Sequence, residues 1–179
     1  MRFQKLWVTL GALAVVFMFA PASHAQLNSN VATVNLNAVL GEAISVSASP
    51  ATVNFTLVPN GVANGSAPVS ITTAWVLDTA RTEVNLYAYF SSSTAALTDG
   101  STNDIPSANV SGSVNSGPST SFSSSVLTGT GITVFNQTLT PATLNSNRND
   151  TIDLSIDTSG LGLPSATYTG TLNIQAQAL

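Results

Sequence analysis

The feature that most constrains this chain is an alternation of apolar and polar residues with a period of two. It recurs in short segments that include VATVNLNAVL, EAISVSA, ATVNFTL, VSITTAWVL, TEVNLYAYF, GITVFNQTLT, DTIDLSID and the closing SATYTGTLNIQAQAL. Successive side chains of a β-strand point to opposite faces, so each segment predicts a strand with one dry face and one wet face. No helical period follows residue 25. The pattern therefore predicts an all-β protein.

The number and spacing of these segments predict an antiparallel β-sandwich of about eight or nine strands, with an immunoglobulin-like or Greek-key arrangement. A closed β-barrel is the alternative. Two Asn-Gly pairs, at residues 60–61 and 64–65, accept positive φ angles and predict chain reversals. The short link DTAR at residues 78–81 predicts a hairpin between the VSITTAWVL and TEVNLYAYF strands.

The start of the chain has the pattern of a secretory signal peptide. Arg2 and Lys5 precede an apolar run over residues 6–20, and a small-x-small motif ends at Ala25. A retained membrane anchor is the alternative, but the run is 15 residues long, and a helix needs about 20 to span a bilayer. We therefore expect a signal peptide helix that is cleaved after Ala25. The mature chain is predicted to be secreted, to the periplasm, cell surface or extracellular space, without a stable membrane anchor.

The length of residues 26–179 fits a single domain. Residues 91–130 are rich in Ser, Gly and Asn and contain one segment with strand character, SANVSGSVN. This region resembles a linker between two domains, but neither half of the chain has enough strands for a good core. We therefore predict one β-sandwich domain with a long loop region over residues 91–130.

The composition after residue 25 excludes several classes of function. The remaining chain has no His, Cys, Lys or Met. It contains two arginines and eight acidic residues, which gives a net charge of −6. Two cations cannot neutralise a run of phosphates, so nucleic acid and anionic membrane surfaces are not expected partners. The usual catalytic dyads and triads, and the customary ligands of zinc, haem and iron-sulfur clusters, cannot be assembled. We therefore predict a non-enzymatic protein without a cofactor.

Oxygen ligands and surface aromatic residues leave two binding chemistries open. The segment DGSTND places Asp99 and Asp104 in one flexible loop, and NRNDTID adds Asp150 and Asp153, which makes calcium a candidate ligand. Asp and Asn are also common turn residues, and we favour that interpretation, with no metal bound. In TEVNLYAYF, Tyr87 and Tyr89 share the wet face and are candidate carbohydrate contacts, although tyrosine is also a favourable strand residue.

The two ends of the domain have complementary character. The closing segment carries neither charge nor Pro, and an unprotected edge strand tends to pair with another strand. Residues 31–40 are also uncharged and alternate, which predicts an N-terminal edge strand, or a strand donated to another molecule. Pairing within the same molecule and pairing between molecules both remain open. The residues predicted to form this strand-pairing interface are Val31, Val34, Leu36, Ala38, Leu40, Leu172 and Ile174.

The closing SATYTGTLNIQAQAL and the alternating NVATVNLNAVL resemble segments of secreted bacterial pilin-like β-sandwich proteins, namely the spore-coat-U-type pilins and the WxL-like surface domains. In pili built by chaperone and usher, the N-terminal strand of one subunit fills a groove in the next. The resemblance implies a structural protein of the cell surface or extracellular matrix that assembles with itself or with other surface subunits. A secreted carbohydrate- or surface-binding β-sandwich module is the alternative.

Overall fold

The computed structural model describes residues 27–179, so the predicted signal peptide lies outside the described residues. The chain divides into two units, residues 1–38 and residues 39–179, and the second is a compact β-structure. In the described residues of the first unit, 27–38, the backbone has no regular secondary structure. None of the helical structure within residues 27–179 is long and apolar enough to cross a membrane.

The prediction of an all-β fold is confirmed, since residues 39–179 contain strands and a single turn of 3₁₀ helix, Ser107–Asn109. The strands in chain order are β1 Ala43–Ser49, β2 Val62–Asn64, β3 Val69–Val76, β4 Glu83–Phe90, β5 Leu97–Thr98, β6 Asp104–Ile105, β7 Val110–Val114, β8 Ser119–Ser121, β9 Ser124–Val126, β10 Gly129–Thr138, β11 Asn145–Asp157 and β12 Asn173–Ala178.

Two antiparallel sheets form the sandwich. The first sheet has the order β1-β3-β11-β7-β8, and the second has the order β12-β4-β10-β9. Strand β2 pairs with β11 on the same side as β3, because the long β11 pairs with β3 over residues 145–152 and with β2 over residues 155–157. The short strands β5 and β6 pair with each other.

The alternating segments bury the faces that their patterns predict. In β3 the buried side chains are Val69, Ile71, Thr73 and Trp75, and in β4 Val84, Leu86, Ala88 and Phe90 face the core. The predicted hairpin between these two strands is wrong, because β3 lies in the first sheet and β4 in the second. Each strand buries its apolar face by facing the opposite sheet across the core, so residues 78–81 carry the chain from one sheet to the other.

The region 91–130 is more ordered than the predicted loop. It contains β5 to β9, and the predicted strand SANVSGSVN corresponds to the 3₁₀ turn followed by β7. Strand β8 pairs with β7 of the first sheet, and β9 pairs with β10 of the second. The chain therefore passes from the first sheet to the second between β8 and β9 and closes one edge of the sandwich. Phe122, in this connection, is fully buried, and its ring lies 5.2 Å from that of Phe90 between centroids.

The opposite edge is different. Strands β1 and β12 are the edge strands of the two sheets and lie close together. Beyond them the chain is almost unpaired over residues 51–58, which follow β1, and residues 161–172, which precede β12. Residues 51–57 and 165–172 belong to segments whose alternation predicts strands, as do residues 31–40. The segments that are predicted to be strands but form no β-ladder are therefore concentrated at this edge and in residues 31–40.

Candidate functional site

The open edge forms an elongated groove of about 1140 Å³. We call residues 51–58 the first flank and residues 161–172 the second flank, because they line its two sides. The apolar side chains of the first flank that face the groove are Val53, Phe55 and Leu57, and those of the second flank are Leu163, Tyr168 and Leu172. All six are only partly buried, since nothing among the described residues covers them.

The floor of the groove is the hydrophobic core itself. Its members are Val69, Phe90, Val110, Leu154 and Ile156, all of which belong to the core cluster. No charged residue lines the groove. Exposed apolar surface of this kind usually marks a binding site, since a monomeric soluble protein rarely leaves a large apolar patch uncovered. The groove therefore suits an uncharged, apolar occupant.

Each flank is attached to the body of the sandwich along one side only. In the first flank, Asn54 accepts a backbone hydrogen bond from Ser66 at 2.8 Å, next to an isolated bridge between Phe55 and Gly65. In the second flank, Thr169 exchanges two backbone hydrogen bonds of 2.9 Å with Thr98. Within residues 27–179, no backbone hydrogen bond joins the two flanks across the groove. Backbone groups on both flanks thus remain without a backbone partner beside an apolar floor.

Local sequence explains why the flanks stay at this edge. Asn60 has a φ of 51°, which permits the tight turn in which the N–H of Gly61 bonds to the carbonyl of Val58 at 3.2 Å. Thr158 lies beside this turn, donates its hydroxyl to the Val58 carbonyl and donates its N–H to the Gly61 carbonyl at 2.9 Å. These bonds hold together the ends of the two flanks that lie farthest from β1 and β12.

The N-terminal segment, residues 31–40, has the properties expected of a strand that could occupy the groove. Each of its side chains is exposed, including Val34 at 81% and Leu36 at 92%. The segment carries no charge, and its even-numbered residues are all small or apolar. Among the described residues, no strand pairs with it. The structure therefore contains both an apolar groove and an exposed apolar strand sequence.

The sequence-predicted interface residues divide between these two places. Leu172 and Ile174 line the groove. Val31, Val34, Leu36, Ala38 and Leu40 lie in the exposed N-terminal segment. Sequence reasoning missed the first flank as part of the interface. Its alternation, ATVNFTL, indicated a strand, but alternation does not reveal which strand will lack a neighbour.

The tyrosines proposed as carbohydrate contacts are on the outer face of the second sheet, as predicted. Tyr89 is only 8% exposed, and its side chain packs against Gly129 and Gly131, where an added Cβ would lie 2.5 Å from the Tyr89 ring and 2.6 Å from its Cβ, respectively. Its hydroxyl donates to Gln175 at 3.0 Å. Tyr87, which is half-buried, is the more accessible of the two. The pair packs against the sheet and offers little ring surface for a sugar to stack on.

Of the first pair of calcium candidates, Asp99 is engaged in hydrogen bonds within its own loop. The Asp99 carboxylate accepts bonds from the Ser101 N–H at 2.8 Å and from the Asn103 side chain at 2.6 Å, which is the geometry of an Asx turn. Asp104 lies in β6, opposite Thr98. Within residues 27–179, no group of three or more acidic, His or Cys side chains is placed to hold a metal ion.

The second acidic segment places its two carboxylates on opposite faces of β11. Asp150 is buried, and accepts hydrogen bonds from Arg148 at 2.9 Å and from Asn115 at 2.7 Å. Asp153 is exposed. Residues three apart in a strand point to opposite faces, so these carboxylates cannot share an ion. Asp150 instead compensates the Arg148 guanidinium, which also lies 4.6 Å from the centre of the Phe135 ring.

Asp99 gives a testable pH dependence. Hydrogen bonds, first from the Asn103 side chain and then from the Ser101 backbone, lower the pKa of Asp99 to about 2. A group with a lowered folded-state pKa stabilises the fold above its unfolded value, near 3.8, and this contribution is lost as the pH falls toward 2. We expect the melting temperature of the wild type to exceed that of Asp99→Asn at pH 5, with the gap closing between pH 4 and about pH 2. Asp104→Asn is the control within the same loop, and a gap that is constant with pH would contradict the assignment.

No family model matches the chain, and no curated protein and no solved structure is detectably similar to it.

Proposed function

We propose that this protein is a secreted, non-enzymatic structural subunit of the cell surface or extracellular matrix, and that it assembles into filaments through β-strand pairing. The observation that carries the proposal is the groove at the open edge. Its two flanks have strand-like sequences and free backbone edges, its floor is the core, and its lining is uncharged. An added strand would lie between the two flanks and extend the backbone pairing at the open edge.

The chemistry of strand addition fits both sides of the groove. An inserted strand gains backbone hydrogen bonds from the flanks, and its alternate side chains enter the apolar floor. In residues 31–40, the even-numbered positions supply Ala32, Val34, Leu36, Ala38 and Leu40, while the odd positions are mostly polar. Burying a Val or Leu side chain contributes about 1.5–3 kcal/mol each. Because both the strand and the groove are uncharged, insertion carries no penalty for burying a charge.

The connectivity favours filaments. The N-terminal segment and the groove are different surfaces, so a contact between them is head-to-tail. Contacts of this kind generate open chains unless their rotation closes a ring. The resemblance of the two terminal segments to pilin-like proteins supports the same assembly, and the N-terminal sequence pattern supports secretion. The absence of His, Lys and Cys after residue 25 supports a role without catalysis.

The experiment that tests this proposal is a measurement of size and shape. Residues 26–179 are purified, concentrated, run on a sizing column and viewed by negative-stain electron microscopy. We expect species that grow with concentration and appear as linear chains. A particle that stays monomeric over the whole concentration range would contradict the proposal, as would closed dimers.

A further inference from the structure

We infer that the groove of each molecule is filled by residues 31–40 of another molecule, because the segment is connected to β1 too far from the groove of its own molecule. The length of the connection at Gly41 determines whether the segment binds within its own molecule or in a neighbour. The inference rests on the proposed function and concerns how the same groove selects its occupant. It follows from the position at which β1 is anchored, together with the length of chain between that anchor and the N-terminal segment.

Glu42 fixes the start of β1. Its carboxylate accepts a hydrogen bond from the N–H of Asp78 at 2.8 Å and pairs with the guanidinium of Arg81 at 3.1 Å. The same bonds lower the pKa of Glu42, with the Arg81 side chain as the largest cause. Gly41, in contrast, has no atoms within 4 Å of the position that a Cβ would take. The free connection between Leu40 and the anchored strand is therefore Gly41 alone.

The groove begins at the other end of β1. Its nearest lining residue on that strand is Ala48, six residues after Glu42, which corresponds to about 20 Å of extended strand. From Glu42 to Leu40 the chain spans at most about 7 Å. Residues 31–40 therefore cannot all occupy the groove of their own molecule.

A shifted segment reaches the groove of its own molecule but fits it poorly. If residues 36–41 bridged the distance, residues 27–35 would enter. Leu36 and Leu40 would then remain outside, and Asn28 and Asn30 would share the inward phase with Ala32 and Val34. Compared with residues 31–40 bound in the groove of a neighbour, the shifted segment buries two fewer leucines and two additional amides. Its binding is weaker by about 10⁴-fold for this reason. A tethered segment has a millimolar effective concentration, which favours it about thousandfold over a partner at micromolar concentration. Because the loss of affinity is larger than this advantage, binding to a neighbour is favoured.

The consequence is that a longer connection should convert the polymer into a monomer. We would insert about 18 Gly and Ser residues between Leu40 and Gly41, which gives a flexible span of about 20–25 Å and a much longer reach. The unchanged segment could then fill its own groove in its preferred register. A two-residue Gly-Ser insertion at the same place is the matched control, because its reach stays below about 20 Å.

At micromolar concentration we expect the wild type and the short-insertion variant to form filaments, and the long-insertion variant to run as a monomer. The melting temperature of that monomer should fall when Val34→Asp and Leu36→Asp are added to it, which shows that its groove is filled by its own segment. Filaments that persist in the long-insertion variant would overturn the inference and leave the proposed function intact. A wild type that never assembles, with a melting curve unaffected by the two Asp substitutions, would contradict the proposed function itself.

Discussion

Replacing both Val34 and Leu36 with Asp should abolish assembly while leaving the sandwich folded. The two side chains are exposed and lie outside the compact unit of residues 39–179, so we expect that unit to fold without them. In an assembled chain the same positions would carry two charges into a groove without a single charged residue. Burying an unpaired carboxylate costs several kcal/mol, and the two charges also remove two of the apolar anchors. Filaments should therefore disappear, with unchanged circular dichroism and melting temperature of the monomer.

The chain offers a matched control for this result. Asn35→Asp with Asn37→Asp introduces the same two charges on the other face of the same segment. These positions would point away from the groove floor, because alternate residues of a strand face opposite sides. We expect this variant to retain filaments at a modestly higher protein concentration. Equal loss of assembly in both variants would indicate a general charge effect and would contradict strand insertion in the proposed phase.

Replacing Phe122 with Ala should have the largest effect on the fold. Phe122 is fully buried between β8 and β9 at the far edge of the sandwich, and it contacts Phe90 of the second sheet. Truncating a buried Phe to Ala typically lowers the free energy of unfolding by about 3–5 kcal/mol. Urea denaturation of the monomeric Val34→Asp, Leu36→Asp background measures this change without interference from assembly. Ser125→Ala, at an exposed position of β9, is the control.

The outcome of the Phe122 experiment bears on the asymmetry of the sandwich. In this account Phe122 holds the closed edge together, and another molecule completes the open edge. A substitution at the closed edge should therefore lower the free energy of unfolding, whereas a substitution at the open edge should reduce assembly. A free energy of unfolding lowered by less than about 1 kcal/mol in Phe122→Ala would show that Phe122 does not hold the far edge together.

The regular strands could be predicted from the sequence because their alternation reflects burial. Ile71 and Trp75 of β3, and Val84 and Leu86 of β4, are the inward residues of their patterns. The partners of these strands could not be predicted. Residues 78–81 have the length of a hairpin loop, yet β3 and β4 pair with different neighbours. Alternation determines which face of a strand is buried, and the packing of whole sheets determines the neighbours.

The start of β11 and the short strands of region 91–130 could not be predicted, because they are formed mainly by polar residues. Strand β11 begins at Asn145, well before the apolar alternation starts, and its buried Asp150 pairs with the half-exposed Arg148. In region 91–130, β5 and β6 are only two residues long, and β7, β8 and β9 consist mostly of Ser, Gly and Thr, residues that are also common in loops. The groove was anticipated only in part, through Leu172 and Ile174. Its first flank could be recognised only from the structure, in which residues 51–58 form no strand and pair along one side only.

The most direct test of the account is whether the groove accepts the N-terminal segment as a separate strand. A protein that begins at Gly41 is labelled with ¹⁵N and titrated with a synthetic peptide of residues 29–42, while amide resonances are followed by NMR. The account predicts saturable one-to-one binding, with the largest shifts at Val53, Phe55, Leu163 and Leu172, and no binding by a peptide that carries Asp at positions 34 and 36. A peptide that does not bind, or one that shifts resonances around Tyr87 on the outer face and leaves the groove unchanged, would contradict it.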